Sequence, residues 1–208
     1  PNWMACEAAR GMEFNAWSAG NPPEHETILP FTRIMGGGFD YTPGIFETRM
    51  NVHDKNKKEI VHTTVAKQLA LYVTLYSPLQ MAADLPEIYE KRMDVFQFIK
   101  DVPVDWQATR VLNAEVGDYV SIARKDKFSQ NWFIGSITDE KARKFEFKLD
   151  FLDEGAVYEA SLYEDGENAH WQNNPYPVKI SKRKIKKGDV LTVNLAEGGG
   201  TAISLIKQ

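Results

Sequence analysis

The sequence is poor in cysteine, in histidine and in long apolar runs, and each shortage closes off a class of function. A single cysteine in 208 residues excludes an intramolecular disulfide and a multi-cysteine zinc site. That residue, Cys6, lies in the apolar run Trp3-Met-Ala-Cys6, the setting of a small buried side chain. His53, His62 and His170 show no metal-ligand spacing, and the sequence contains no HExxH, phosphate-loop, dinucleotide or Gly-x-Ser-x-Gly pattern. No segment approaches the roughly 20 apolar residues that a membrane helix needs. The net charge of -4, with both signs well mixed, leaves no global basic field for nucleic acid or an anionic membrane. The one basic run, Lys182-Arg-Lys-Ile-Lys-Lys187, reads as the exposed face of a strand and its turn, with a polyanion site as the alternative. The chain opens on Pro1 without an initiator Met or signal peptide, which fits a processed or truncated product.

What is present divides near residue 105. Residues 1 to about 60 are rich in Gly and Pro and read as short strands and long ordered loops. From His62 to Tyr76, Val65, Leu69, Val73 and Tyr76 form an apolar helical stripe, which Ser77-Pro78 stops. A second helix is expected from Pro86 to about Lys100. Beyond Asp101-Val-Pro-Val-Asp105 the period changes to two, as in Lys144-Phe-Glu-Phe-Lys-Leu149. Further strands are expected at Val111–Glu115, Tyr119–Arg124, Trp132–Ile137, Val157–Tyr163, Val178–Lys184, Val190–Leu195 and Ala202–Ile206. Short strands at such spacing, separated by turn signals, predict an antiparallel sandwich over 106–208. Residues 1–105 do not close as a recognisable α/β unit and look like the end of something larger, since a complete (β/α)8 barrel needs about 250 residues.

The chemistry is concentrated near the start. If Trp3–Glu7 is a barrel strand, Glu7 and Glu13 lie at its carboxyl end and in the following loop, where barrel enzymes place their active sites. Paired carboxylates suit a calcium ion or glycosidic bond cleavage. The other reading of the same spacing pairs Glu7 with Arg10 and leaves Glu13 facing water. Trp3, Phe14 and Trp17 are sugar-stacking faces or core residues. His25, within Glu24-His25-Glu26, is a sugar ligand or base on one reading and part of a local hydrogen-bond network on the other. Gly36-Gly-Gly38 and Gly198-Gly-Gly200 read as turns.

Several long motifs then resemble one family. Glu7-Ala-Ala-Arg-Gly-Met-Glu13, Thr27-Ile-Leu-Pro-Phe-Thr-Arg33, Phe39-Asp-Tyr-Thr-Pro-Gly-Ile-Phe46, Lys67-Gln-Leu-Ala-Leu-Tyr72 and Tyr76-Ser-Pro-Leu-Gln-Met-Ala-Ala-Asp-Leu-Pro86 resemble glycoside hydrolase family 97. So do Phe96-Gln-Phe-Ile-Lys-Asp-Val-Pro-Val-Asp-Trp106 and Gly135-Ser-Ile-Thr-Asp139, and the resemblance covers essentially the whole chain. It implies a calcium-dependent, exo-acting α-glucosidase or α-galactosidase with an N-terminal β-super-sandwich, a central (β/α)8 barrel and a C-terminal β-sandwich. The implied fold here is α/β plus all-β, with residues 1–105 the C-terminal part of the barrel and 106–208 the antiparallel β-sandwich.

By motif, Glu13 resembles the general acid and Glu7 a calcium ligand, with Glu13 also touching the ion. The remaining calcium glutamates and the base or nucleophile are implied to lie upstream of Pro1. The fragment alone is therefore expected to be inactive. Its implied partners are an oligosaccharide substrate and the missing N-terminal part of the enzyme, in a periplasmic or secreted location. A truncated barrel is also expected to expose apolar faces, including the stripe on Val65, Leu69 and Val73, and to self-associate through them. The rival expectation is a non-catalytic carbohydrate-binding or structural β-sandwich module. Trp106, Trp132 and Trp171 then serve as stacking platforms, or pack in the core or between domains.

Overall fold

In the computed structural model of the chain, which describes residues 5–7 and 9–208, the alternating pattern of the second half forms eight strands. They are β1 (Trp106–Glu115), β2 (Tyr119–Asp126), β3 (Trp132–Thr138), β4 (Arg143–Lys148), β5 (Val157–Asp165), β6 (Val178–Lys186), β7 (Val190–Leu195) and β8 (Gly200–Lys207). Six pair in the order β1-β2-β3-β8-β5-β6, and β4 pairs with β7 as a second sheet. Every pairing is antiparallel. The basic run lies on β6, an edge strand, and Lys182 meets Glu159 of β5. Lysines on an edge discourage pairing with another chain.

The strand period of two sends β3 side chains to two different cores. Trp132 and Ile134 join Leu191, Val193 and Phe147 of the small sheet in one apolar layer. Phe133 and Ile137 face the opposite way, towards the helices of the first half. The large sheet is thus covered on one side by β4 and β7 and on the other by helix.

That helix is α2 (Val65–Thr74), shorter at both ends than expected from the stripe. Thr64 stays extended and caps it by accepting the Lys67 N–H, as N-cap threonines do. At the other end Leu75 is already extended before Ser77-Pro78. Val65, Leu69 and Val73 are fully buried, so the expected exposure of this stripe is overturned. α2 lies directly on β3 and β8, and two glycines make the close approach feasible. A Cβ on Gly135 would stand 2.5 Å from the Ala70 carbonyl oxygen, and one on Gly200 would stand 2.7 Å from the Lys67 Cα. Arg124 of β2 donates from Nε to the Val73 carbonyl at 2.6 Å, placing a cation at the helix C-terminus.

The helix expected over 86–100 divides into α3 (Pro86–Glu90) and α4 (Met93–Asp101), separated by Arg92 at φ −137°, ψ 45°. Its aromatic residues serve different neighbours. Tyr89 packs edge-on against Phe46, with centroids 5.0 Å apart, while Phe98 reaches Phe133 and Tyr163 on the sheet.

The Gly/Pro-rich start also differs from the short strands and loops expected, because its described residues form only isolated bridges in place of strands and α1 (His25–Thr32) lies within it. Pro22 and Pro23 turn the chain, and the His25 N–H closes the turn on the Pro22 carbonyl at 3.0 Å. α1 joins two segments that meet in a parallel bridge, Cys6 with Phe39. A helical crossover between parallel segments is the connection used in βαβ units. Trp3 and Met4 of the expected strand Trp3–Glu7 lie outside the described residues.

Candidate functional site

Glu7 follows the Cys6 bridge, and Arg33 at the end of α1 anchors that backbone. Its guanidinium donates from Nε to the Glu7 carbonyl at 2.5 Å and from Nη2 to the Cys6 carbonyl at 3.0 Å. The next carboxylate, Glu13, sits in a short 3-10 turn over Met12–Ala16. Three ties fix that turn. The Met12 N–H donates to the Tyr41 carbonyl at 3.2 Å, Asn15 Nδ2 donates to the Met12 carbonyl at 2.9 Å, and Asn21 Nδ2 donates to the Gly11 carbonyl at 3.0 Å.

The structure brings the two predicted carboxylates together. Repulsion from Glu13, with a smaller contribution from Asp40, raises the Glu7 carboxyl above the usual range. Glu7, Glu13 and Asp40 are all exposed. Arg10 turns over the Phe14 ring, 5.1 Å from its centroid. Beside Glu13 opens a cavity of about 250 Å³, lined by Met12, Asn15, Thr42, Ile45 and Met50 among others. Thr42 holds a φ of 56°, a left-handed conformation that costs energy in a β-branched residue and is enriched at functional sites.

His25 faces this loop from α1, and its Nε2 lies 2.8 Å from the Arg10 carbonyl oxygen. Its neighbour Glu26 is buried, accepting the Tyr41 hydroxyl at 2.6 Å and pairing with Lys67 Nζ at 3.1 Å. Lys67 Nζ also donates to the Pro23 carbonyl at 2.6 Å and to the Thr138 carbonyl at 3.0 Å. Two carbonyls and the Glu26 carboxylate thus surround the buried ammonium. Sequence reasoning missed Glu26, Tyr41 and Lys67 as a group. The available signal was the pair Lys67-Gln68 inside an otherwise apolar helix turn, Val65-Ala-Lys-Gln-Leu-Ala-Leu.

A second polar knot ties α2 to the β7–β8 turn. Asp165 of β5 accepts the Thr64 hydroxyl at 2.6 Å and the N–H groups of Ala196 and Gly200 at 2.8 and 2.9 Å. Burial pushes its carboxyl up to about 6 against the pull of those donors. The Gly198-Gly-Gly200 run is a turn as expected, with Gly198 at φ 61°, and it closes directly over Trp171 and Asp165. Trp171 also packs edge-on against His62, with centroids 4.8 Å apart. Trp132 is buried between the sheets, and Trp106 packs on Phe133. The three sandwich tryptophans therefore pack in the core or between the halves of the chain.

Residues 105–206 match the family model described as the glycosyl-hydrolase 97 C-terminal domain, oligomerisation. The chain thus carries the C-terminal domain of glycoside hydrolase family 97. A solved family 97 enzyme from Pseudoalteromonas sp. strain K8, in complex with panose, superimposes with a TM-score of 0.95 at 49% identity. The match covers 100% of this chain and 32% of that one. The same enzyme is known in complex with acarbose. Among curated proteins, a retaining α-galactosidase from Bacteroides thetaiotaomicron is 34% identical over 99% of this chain and 31% of its own length. A probable retaining α-galactosidase from Streptomyces bingchenggensis is 30% identical over 97% of this chain and 28% of its own. The chain spans about a third of the length of the relatives it matches. A β-arabinopyranosidase at 22% identity and a TM-score of 0.80 shares the fold.

Proposed function

We propose that this chain is the C-terminal part of an exo-acting α-glycosidase that hydrolyses terminal α-glucosidic or α-galactosidic bonds with calcium assistance. Residues 1–105 are the last part of its (β/α)8 barrel and 106–208 its β-sandwich. The observation that carries the reading is the juxtaposition of Glu7 and Glu13 after a parallel bridge whose crossover is a helix. Barrel enzymes place catalytic carboxylates at this position, the end of a strand and the loop after it.

Glu13 is the general acid that protonates the leaving glycosidic oxygen. Glu7 and Glu13 together hold the calcium ion. Their fit to it rests on the chemistry of the pair, two hard oxygen donors whose mutual repulsion a cation relieves. When bound, the ion supplies positive charge for orienting the sugar and balancing negative charge near the cleaved bond.

The second catalytic carboxylate and the other calcium ligands lie in the upstream part of the enzyme, so the isolated chain is inactive. The family resemblance supports a periplasmic or secreted location. Self-association accords with the description of the C-terminal domain as oligomerisation. Trp17, Met35, Val52, Leu79, Met81 and Leu85 are exposed in the barrel part and supply its apolar surface.

Glu13→Ala in the enzyme of full family length tests the assignment. The expected result is a fall in kcat of about 10²–10⁴ with little change in substrate binding. An unchanged rate overturns it. Turnover of a nitrophenyl α-glycoside by the pure 208-residue chain overturns the prediction of inactivity.

A further inference from the structure

We propose that Tyr41, Glu26 and Lys67 form a buried positioning relay through which the β-sandwich sets the loop that bears Glu13. The proposal rests on the assignment of Glu13 as general acid.

The relay runs through hydrogen bonds joined by one ion pair. Thr138, the last residue of β3, accepts from Lys67 Nζ at 3.0 Å, and Lys67 pairs with Glu26 at 3.1 Å. Glu26 accepts the Tyr41 hydroxyl at 2.6 Å, and the Tyr41 carbonyl accepts the N–H of Met12, the residue before Glu13, at 3.2 Å. Lys67 is wholly buried and Glu26 is 3% exposed. Burial and the neighbouring Glu26 carboxylate raise the Tyr41 hydroxyl well above its usual range, so it remains a donor.

The same α1 segment holds the loop a second time, because His25 next to Glu26 meets the Arg10 carbonyl at 2.8 Å. Glu13 is therefore referred to α1, α2 and β3 together. A shift of Lys67 against the sheet is transmitted to the turn carrying the acid.

Stability alone is a weak reason for a charge pair here. Desolvating two ions is costly, and an apolar pair of similar volume is often as stable or more so. What the ion pair adds is direction. Lys67 points at three acceptors on two segments, the start of α1 and the end of β3, and Glu26 spends its second oxygen on Tyr41. Catalytic geometry needs this kind of support, since a displacement of about 1 Å can cost on the order of 10² in rate.

The test uses the enzyme of full family length with two substrates that differ in their need for an acid. An alkyl α-glycoside leaves only with protonation, whereas a dinitrophenyl α-glycoside leaves without it. Tyr41→Phe removes only the hydroxyl and is the primary variant. The double change Lys67→Met with Glu26→Gln removes both charges together, so no buried charge is left unpaired. For each, kcat/KM is expected to fall about tenfold on the alkyl glycoside and less than about twofold on the dinitrophenyl glycoside. Glu13→Gln is the reference and should show the same selectivity at larger amplitude.

Equal losses on both substrates mean a purely structural role and overturn the relay, as does no loss on either. If Glu13→Gln shows the selectivity and Tyr41→Phe does not, the relay falls and the acid assignment stands. If Glu13→Gln shows no selectivity, the acid assignment falls and takes the relay with it.

Discussion

The two faces of the six-stranded sheet are built on opposite principles. The face towards β4 and β7 is chiefly apolar, with Trp132, Ile134, Tyr158, Ile203 and Leu205 meeting Phe147, Leu191 and Val193, and Ser136 and Thr201 further along the same strands. The face towards α2 carries paired polar groups instead, with Arg124 donating to the Val73 carbonyl, Asp165 accepting the Thr64 hydroxyl, and Lys67 of the helix reaching Glu26 and the Thr138 carbonyl. Close-packed apolar side chains stabilise without direction. Buried polar groups, once paired, tie named atoms to named atoms. The lesson is a division of labour within one sheet, in which one face holds the domain together and the other holds the candidate active site to it.

Three measurements sharpen or break that contrast. The largest effect is expected on the apolar face. Leu191 is fully buried there, and Leu191→Ala should cost about 3 kcal/mol in denaturant unfolding. In the full-length enzyme, kcat/KM of the folded fraction should stay within about twofold. A catalytic loss beyond that, at full folding, would erase the distinction between the faces.

On the other face, Gly135→Ala places a methyl group against the Ala70 carbonyl, and the helix backbone cannot yield without moving. The expected destabilisation is smaller, about 2 kcal/mol, but it should come with a measurable fall in kcat/KM because Lys67 shifts with α2. Full activity in this variant would argue that α2 position does not reach Glu13.

The smallest effect concerns Asp165. Its carboxyl is raised to about 6 by burial, so the native state keeps a proton that the unfolded chain releases near 3.8. Its contribution to stability is therefore complete below about pH 4 and is lost as pH rises through about 6. Asp165→Asn should remove this slope. Because the residue as a whole is only half-buried, the difference between variant and parent should change by about 1 kcal/mol between pH 4 and pH 7. Equal pH slopes in the two proteins, measured by chemical denaturation, would show that Asp165 does not titrate in this window.

Legibility in the sequence followed the same divide. The strands expected beyond residue 105 all appear because alternation between two distinct environments is a local signal. β1 starts at Trp106 rather than Val111 because its first half is an edge with little apolar contrast. α1 escaped notice because Pro30 lies inside it and prolines precede it, the usual marks of a loop. The break at Arg92 was equally unreadable, since it depends on where Tyr89 and Phe98 find their partners.

Motif resemblance singled out Glu7 and Glu13, and the structure brings them side by side. Lys67, Glu26 and Tyr41 lie up to 41 residues apart in the chain and carry no pattern that joins them.

The amino-acid sequence by itself determined the antiparallel strands, the capped helix after Thr64 and the pair of carboxylates near the start, because each depends on neighbours in the chain. Strand order, the burial of α2 on every side and the relay from Thr138 to Met12 were decided only by the tertiary structure. Those features are made by atoms from distant segments meeting, and their energies do not exist until the fold has brought the segments together.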